Sequence, residues 1–176
     1  MDNLDKLLDE SLDLESCEEL ACSDTFDEII RFAIDQEELE HTFYLKLAKR
    51  VDSKDGRDLM ERHAAEEKQQ IKLLSKVLSD HHLPEENPGG RTIPNADLRI
   101  ADFLTTLPSG DGNLTYQDAL ILSIKMEQSR VNLYEDLANL PMGAVGYKTF
   151  TWLAREELKQ KNILEREYDD IVLDAD

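Results

Sequence analysis

The chain is poor in basic residues. Lys and Arg together number 20, against 39 Asp and Glu, which gives a formal net charge of −19. Proteins that bind nucleic acid carry basic patches that neutralise phosphates. The shortage of positive charge therefore argues against nucleic acid as a partner. The same charge raises the concentration of cations near the surface, although solubility alone also accounts for it.

Long hydrophobic runs are absent as well. No stretch of the sequence reaches the roughly 18 consecutive apolar residues that a membrane-spanning helix needs. The first residues, MDNLDKLLDE, are acidic and lack the positive start and apolar centre of a secretory signal. We therefore predict no membrane partner and a cytoplasmic location.

Cysteine is scarce, with Cys17 and Cys22 the only two in the chain. Two thiols cannot supply the four sulfur ligands that hold a lone iron or zinc ion. A redox pair, a weak metal site and two ordinary reduced thiols all agree with their position in an acidic segment. The third interpretation is favoured.

What the sequence does contain is a pattern that occurs twice, ninety positions apart and without a gap. Each copy has a Glu followed by a Tyr seven residues later, and an E-x-x-Q pair that starts thirty residues after the first Glu. The first copy consists of Glu37, Tyr44, Glu67 and Gln70, and the second of Glu127, Tyr134, Glu157 and Gln160. The repeat indicates that one helical hairpin is present twice.

Each repeated glutamate lies on an apolar helical stripe. Around Glu37 the stripe includes Ile30, Ala33, Tyr44 and Leu47, at the three- and four-residue steps that share one helix face. An unpaired buried carboxylate costs several kcal/mol, against a total stability of roughly 5–15 kcal/mol. Four such acids need positive charge among them, and a pair of metal ions is the source that we predict.

The pattern is carried by four segments: AIDQEELEHTFYLKLA (33–48), AAEEKQQIKLL (64–74), KMEQSRVNLYEDLA (125–138) and LAREELKQKNIL (153–164). Together they resemble the ferritin-like domain of the rubrerythrin family over about residues 25 to 172. The resemblance implies an all-α, ferritin-like four-helix bundle of two antiparallel helix pairs, joined by a long crossover with a short extra helix. It also implies a homodimer.

The resemblance further implies two metal ions, with iron favoured and manganese or zinc as alternatives. Glu37 and Glu127 would be terminal or chelating ligands, and Glu67 and Glu157 would bridge the two ions. The rubredoxin-like domain of full-length rubrerythrins, with its C-x-x-C pairs, has no counterpart in this sequence. Any electron donor would then be a separate molecule.

The sequence departs from the family pattern at three positions. Gln70 and Gln160 stand where the family has ligand histidines, and Arg130 stands where it has a further inward glutamate. Gln70 and Gln160 are predicted to be either weak metal ligands or groups that support the glutamate ligands. An amide oxygen gives less to iron or manganese than an imidazole does, so weaker metal binding is expected. Arg130 could instead pair with Glu127 or with a facing acid.

Five further residues are predicted to lie near the site, as replacement ligands or as groups that contact the ligands. Glu40 lies three residues after Glu37, and His41 and His63 lie one turn from Glu37 and Glu67, so each is a possible replacement ligand. His63, like His81 and His82, is otherwise interpreted as a solvent-side or helix-end residue. Tyr44 and Tyr134 are expected to be core aromatics whose hydroxyls bond a glutamate across the bundle.

Along the chain, we predict an acidic segment over residues 1–22, flexible or a short helix, and the bundle over 23–176. Helix A is expected to start at a capping box formed by Thr25 and Glu28 and to end near Val51. The remaining bounds are a turn at 53–56, helix B over 59–82, a crossover over 83–95, a short helix over 96–104, helix C over 115–140 after a Thr115–Asp118 cap, a turn at 142–146 and helix D over 147–172.

Three functions agree with these residues. The first is a dinuclear metal oxidoreductase that reduces peroxide or oxidises Fe²⁺, and whether the chain is an enzyme stays open. The second is a metal-binding or storage protein without redox turnover. The third is a structural bundle whose metal has been lost and whose acids are neutralised by Arg130 and neighbouring amides.

Overall fold

The computed structural model describes residues 20–83 and 113–174, and this part of the chain is helical apart from short connections. The four helices are α1 (Leu20–Arg50), α2 (Lys54–Asp80), α3 (Tyr116–Ala138) and α4 (Gly143–Asp174). The all-α class is confirmed for these residues. Most of the predicted N-terminal segment, with Cys17, and the predicted crossover and short helix at 96–104 lie outside the described residues.

Short turns join the helices into two antiparallel hairpins. Val51, Asp52 and Ser53 connect α1 to α2, and the Ser53 hydroxyl accepts a hydrogen bond of 3.0 Å from the Gly56 amide to cap α2. Residues 139–142 connect α3 to α4. Helices α1 and α2 pack along one another, as do α3 and α4. The repeat predicted from the sequence therefore corresponds to two hairpins.

The two hairpins are tied together at one end of the bundle. Leu114, just before α3, donates its amide to the Arg50 carbonyl at 2.9 Å and accepts from the Asp52 amide at 3.0 Å. These bonds hold the start of α3 beside the end of α1, so α1 and α3 run antiparallel. Tyr116 donates to Glu167 Oε1 at 2.9 Å, which brings the last turns of α4 to the same end.

The apolar core has two parts, one towards each end of the bundle. Val51, Leu59 and Leu120 belong to the part near the first interhelical turn, and Ile30 and Phe150 belong to the other. The residues that flank the gap between them are Ala33 and Tyr44 in α1, Ala64 and Leu74 in α2, Ile124 and Tyr134 in α3, and Ala154 and Leu164 in α4. All four repeated glutamates fall in that gap.

The observed helix ends correct three predictions and confirm one. The turn predicted at 53–56 and the start of the second helix predicted at Leu59 are wrong, because α2 begins at Lys54. Thr25 and Glu28 do not cap helix α1, because the helix begins at Leu20. The turn predicted at 142–146 is wrong, since Gly143 already belongs to α4. The Thr115–Asp118 capping box is confirmed, with the Thr115 hydroxyl accepting from the Asp118 amide at 3.1 Å.

Gly56 occupies a place where α2 approaches the start of α3 closely. A Cβ atom at this position would lie 2.8 Å from Val51 Cγ2, from Ser53 Oγ and from Tyr116 Cδ2. Gly56→Ala is expected to lower the free energy of unfolding by roughly 1–3 kcal/mol, because overpacking outweighs the gain in helix propensity. Urea unfolding measures the change. Gln69→Ala, at an exposed position of the same helix, is the control and should change stability little.

Candidate metal centre

Helical geometry brings the repeated glutamates into one buried layer. Glu37, Glu67, Glu127 and Glu157 come from α1, α2, α3 and α4 respectively, and each is 0% exposed. A fifth carboxylate, Glu40, is also 0% exposed. Glu40 lies three residues after Glu37, so the two share one face of α1. Five buried acids in one cluster require a specific compensation.

These side chains lie close enough together to surround metal ions. Three sets each offer one ligand atom per residue, with all atoms of a set within 4.8 Å of one another. The sets are Glu37, Glu67 and Glu157; His63, Glu67 and Glu127; and Glu40, Glu127 and Glu157. Because Glu67, Glu127 and Glu157 each belong to two sets, the six residues form one continuous cluster.

The two buried tyrosines each donate a hydrogen bond across the bundle. The Tyr44 hydroxyl of α1 donates to Glu127 Oε1 of α3, and the Tyr134 hydroxyl of α3 donates to Glu37 Oε1 of α1. The predicted pairing of core tyrosines with glutamates is therefore confirmed, and it is reciprocal. Each tyrosine occupies one oxygen of its carboxylate and leaves the other free.

Several carboxylate oxygens in the cluster have no donor. Within the described residues, no hydrogen-bond donor reaches Glu37 Oε2, Glu67 Oε1, Glu127 Oε2 or either oxygen of Glu157. The carboxyl groups of Glu37 and Glu67 interact with one another, as do those of Glu127 and Glu157. A buried polar atom without a partner is costly. A proton or a cation is therefore needed in the middle of this layer.

Arg130 lies beside the cluster and pairs with Glu40. Its Nε donates to Glu40 Oε2 at 2.7 Å, its Nη1 to Gln36 Oε1 at 2.7 Å and its Nη2 to the Gln36 carbonyl at 3.2 Å. Positions 40 and 130 are equivalent in the repeat, so the ion pair joins two matching places in the two hairpins. Of the two partners considered for Arg130, the structure selects a facing acid rather than Glu127.

Both glutamines of the E-x-x-Q pairs are buried beside the carboxylates. Gln70 donates from Nε2 to Glu67 Oε2 at 3.4 Å, and its own Oε1 has no donor among the described residues. Gln160 Oε1 lies 2.7 Å from Nδ1 of His63. Each amide therefore sits where it can support a neighbouring ligand or offer its oxygen to a cation.

The two histidines near the motif acids have different positions. The expectation that His63 is a solvent-side or helix-end residue is wrong, because its side chain is 2% exposed and lies in the cluster. His63 lies four residues before Glu67, so the two share one helix face. This spacing is the feature of the sequence that indicates an inward-facing His63. His41 is only partly buried, and its Nδ1 lies 2.6 Å from the Ala64 carbonyl. His41 belongs to none of the three candidate ligand sets.

Burial dominates the electrostatics of the cluster. Loss of solvation, followed by repulsion from neighbouring carboxylates, raises the pKa values of Glu40, Glu67 and Glu157 well above the ordinary range. Loss of solvation also raises the pKa of Glu127 to about 7. For His63 the same cause lowers the pKa to about 4, so its imidazole is neutral at pH 7. Without a metal ion, some of these acids keep their protons.

The donor set fits a pair of metal ions. Oxygens without hydrogen-bond donors, carboxylates shared between sets and one neutral imidazole are the groups that divalent iron, manganese and zinc bind. Of the residues predicted from the sequence, all six proposed ligands are in or beside the layer. Glu40, Tyr44, His63, Arg130 and Tyr134 also contact it, whereas His41 contacts a backbone carbonyl.

Comparison of the sequence and structure with protein-family models, curated proteins and solved structures returned no significant match. Among the described residues, none of the helices has both the length and the apolar character needed to span a membrane.

The raised carboxyl pKa values predict how stability depends on pH in the metal-free protein. Above pH 4.5 the unfolded chain releases carboxyl protons that the folded cluster retains, so a rise in pH favours unfolding. His63 acts in the opposite direction, but only between its folded pKa of about 4 and its unfolded value of 6.5.

Above pH 6.5 the buried carboxyl groups therefore determine the pH dependence of stability without a contribution from His63. There, the free energy of unfolding should fall by about 1.4 kcal/mol per pH unit for each retained proton. Urea unfolding of chelator-treated protein between pH 6.5 and about 8 measures this slope. A flat or rising stability across that range would contradict the burial of ionisable glutamates.

The Arg130–Glu40 pair predicts a stability change that a surface ion pair would not produce. Arg130→Gln leaves the buried Glu40 carboxylate without its cation and should cost about 3 kcal/mol at neutral pH. The double variant with Glu40→Gln removes that charge and should recover most of the loss. Denaturant unfolding of the wild type, the two single variants and the double variant gives the coupling energy between Arg130 and Glu40. If the losses of the two single variants add up in the double variant, the two side chains are independent.

Proposed function

We propose that this chain is a dinuclear metal-binding protein of ferritin-like type, with its site in the layer of buried glutamates. The observation that carries the proposal is Glu157, which is 0% exposed and has both carboxylate oxygens without a donor among the described residues. An ionised carboxylate in such a place is unfavourable unless a cation binds it. The neighbouring acids leave oxygens free in the same layer.

The charge of the cluster suits two divalent ions. The cluster contains five buried glutamates, and Arg130 offsets one of them through its ion pair with Glu40. A sixth buried glutamate, Glu165, lies 3.7 Å from the buried Lys161 and is counted with that cation. Four negative charges then remain, which two divalent cations neutralise. The third candidate function is a bundle neutralised by Arg130 and neighbouring amides. It is the weaker proposal, because Arg130 pairs only with Glu40 among these acids and the Gln70 amide reaches one oxygen of Glu67, while within the described residues no donor reaches Glu157.

The hydrogen bonds favour different roles for the glutamates. Glu37 and Glu127 each have one oxygen bound by a tyrosine hydroxyl, which leaves one oxygen for a metal and suits a terminal ligand. Among the described residues no tyrosine hydroxyl donates to Glu67 or Glu157, and each of the two belongs to two of the candidate ligand sets. These two residues are therefore the ones proposed to bridge the ions.

Oxygen donors predominate in the site, which favours iron or manganese over metals that prefer sulfur or several imidazoles. Gln70 and Gln160 would complete or support the ligand shell, and as amides they bind more weakly than the histidines of the family this chain resembles. The amide contacts with Glu67 and His63 place them where they would also orient those two side chains.

Redox turnover is a second proposal, supported by the position of the layer between two apolar cores. When bound, a pair of iron ions supplies two electrons to peroxide, and a separate donor restores them. The chain's own share is to exclude bulk water and to hold protons near the reacting centre. The hydroxyls of Tyr44 and Tyr134 already donate to ligand carboxylates, so they are proton-bearing groups in direct contact with the site.

Anaerobic loading with Fe²⁺, followed by desalting and elemental analysis, tests the proposal. The wild-type protein should retain two irons per chain. Glu157→Gln should lose at least one, because an uncharged amide replaces a carboxylate whose two oxygens are free. Glu156→Gln is the matched control, since that neighbouring side chain is partly exposed and pairs with Lys159.

Retention of no iron, manganese or zinc by the wild-type protein would end the metal proposals and leave the structural one. If two irons are retained, addition of peroxide distinguishes the two metal-dependent functions. Oxidation of both ions by one equivalent of peroxide supports the oxidoreductase, and stable Fe²⁺ supports binding without turnover.

A further inference from the structure

The imidazole of His63 is held in a fixed orientation beside the carboxylates of the cluster. His63 lies on α2, one helical turn before Glu67, and its side chain is 2% exposed. Its ring is stacked on that of Tyr44, with centroids 5.0 Å apart and an interplanar angle of 22°. The stacking and the burial fix the plane of the imidazole, so its ring nitrogen is held in one place relative to the carboxylates.

Side-chain oxygens of the cluster lie near Nδ1 of His63. Nδ1 lies 2.7 Å from Gln160 Oε1 and 3.9 Å from Glu127 Oε1. His63 also belongs to a set with Glu67 and Glu127 whose ligand atoms all lie within 4.8 Å. Two donors on one metal with bonds of about 2.1 Å are about 3 Å apart when adjacent and about 4.2 Å when opposite. The 3.9 Å distance to Glu127 Oε1 falls within this range, and the 2.7 Å contact with Gln160 is a hydrogen bond.

The repeat does not supply a second imidazole. The residue equivalent to His63 in the second hairpin is Leu153, which is 0% exposed and packs in the apolar core near α1. The set formed by Glu37, Glu67 and Glu157 contains only carboxylates. The two halves of the cluster therefore differ chemically, with nitrogen available on one side and oxygen alone on the other.

We infer that Nδ1 of His63 is a ligand to one ion of the pair, so that the two metal positions are unequal. This inference rests on the proposed metal-binding function and deepens it. The position formed by His63, Glu67 and Glu127 takes a borderline metal such as Zn²⁺ or Fe²⁺, for which imidazole is a good ligand. The position formed by Glu37, Glu67 and Glu157 takes a harder ion such as Mn²⁺.

Metal binding through this nitrogen requires a change of tautomer. The Oε1 atom of Gln160 can only accept a hydrogen bond, so its 2.7 Å contact places the imidazole proton on Nδ1 in the metal-free protein. A metal on Nδ1 needs the lone pair of that nitrogen, and the proton then resides on Nε2. The ring remains neutral in both states. Gln160 is released from the histidine and its oxygen becomes available to the same ion.

Nitrogen NMR of the full chain detects this change directly. The sequence contains four histidines, so protein labelled with ¹⁵N-histidine gives four pairs of ring resonances, which single His→Gln variants assign. Zn²⁺ is the probe because it is diamagnetic. On addition of Zn²⁺ to metal-free wild-type protein, Nδ1 of His63 should lose its protonated-nitrogen shift, and Nε2 should acquire one. His41, bonded to the Ala64 carbonyl, should not change.

Unchanged His63 resonances in protein that retains two Zn²⁺ ions would overturn the inference and leave the proposed function intact. Failure to retain any metal would overturn both. A second measurement tests the inequality of the two positions. His63→Gln should weaken binding of the first Zn²⁺ at least about tenfold while Mn²⁺ affinity changes little, and His41→Gln should alter neither. Equal losses for Zn²⁺ and Mn²⁺ would contradict unlike metal positions.

Discussion

The structure depends on the burial of five glutamates between two apolar cores. Glu37, Glu40, Glu67, Glu127 and Glu157 are all 0% exposed, and hydrophobic side chains close the layer towards both ends of the bundle. Charge in such a place is tolerated only with a matching cation or a bound proton. The hydrogen bonds, the ion pair and the raised carboxyl pKa values all respond to this one constraint.

The same layer also links the two hairpins. Tyr44 and Tyr134 exchange hydrogen bonds with Glu127 and Glu37 between α1 and α3, and Arg130 pairs with Glu40 between the same helices. His63 of α2 meets Gln160 of α4. Apart from the hydrogen bonds to Leu114, these polar contacts are the main directional connections described between the hairpins. The candidate site and the packing of the two hairpins therefore use the same polar side chains.

Departures from the repeat are as informative as the repeat. Positions that match, such as Glu67 and Glu157, make the cluster symmetric and give it its acids. Where the copies differ, the chemistry of the two sides separates. Glu40 faces its own counterpart Arg130, which lowers the total negative charge by one, and His63 has Leu153 as its counterpart. A duplicated hairpin has in this way acquired an imidazole in His63 and a buried cation in Arg130 beside its acids.

The sequence by itself determined the four helices and the buried acids. A helical period of 3.6 residues together with a ninety-residue offset is enough to place Glu37, Glu67, Glu127 and Glu157 on inward faces at one depth. Local signals gave the start of α3 at Thr115, but a similar signal at Thr25 was overridden because α1 begins at Leu20. Helix ends depend on neighbouring turns as well as on the local motif.

Only the tertiary structure decided which polar side chains meet. Arg130 and Glu40 are ninety residues apart, and the period of a helix does not say which of several facing acids a long guanidinium side chain will reach. His41 and His63 each lie one turn from a motif glutamate, so the sequence could not separate them. The packing of α2 against α1 turns His63 into the cluster and leaves His41 against the Ala64 carbonyl. Distances between helices, which no local pattern encodes, made that choice.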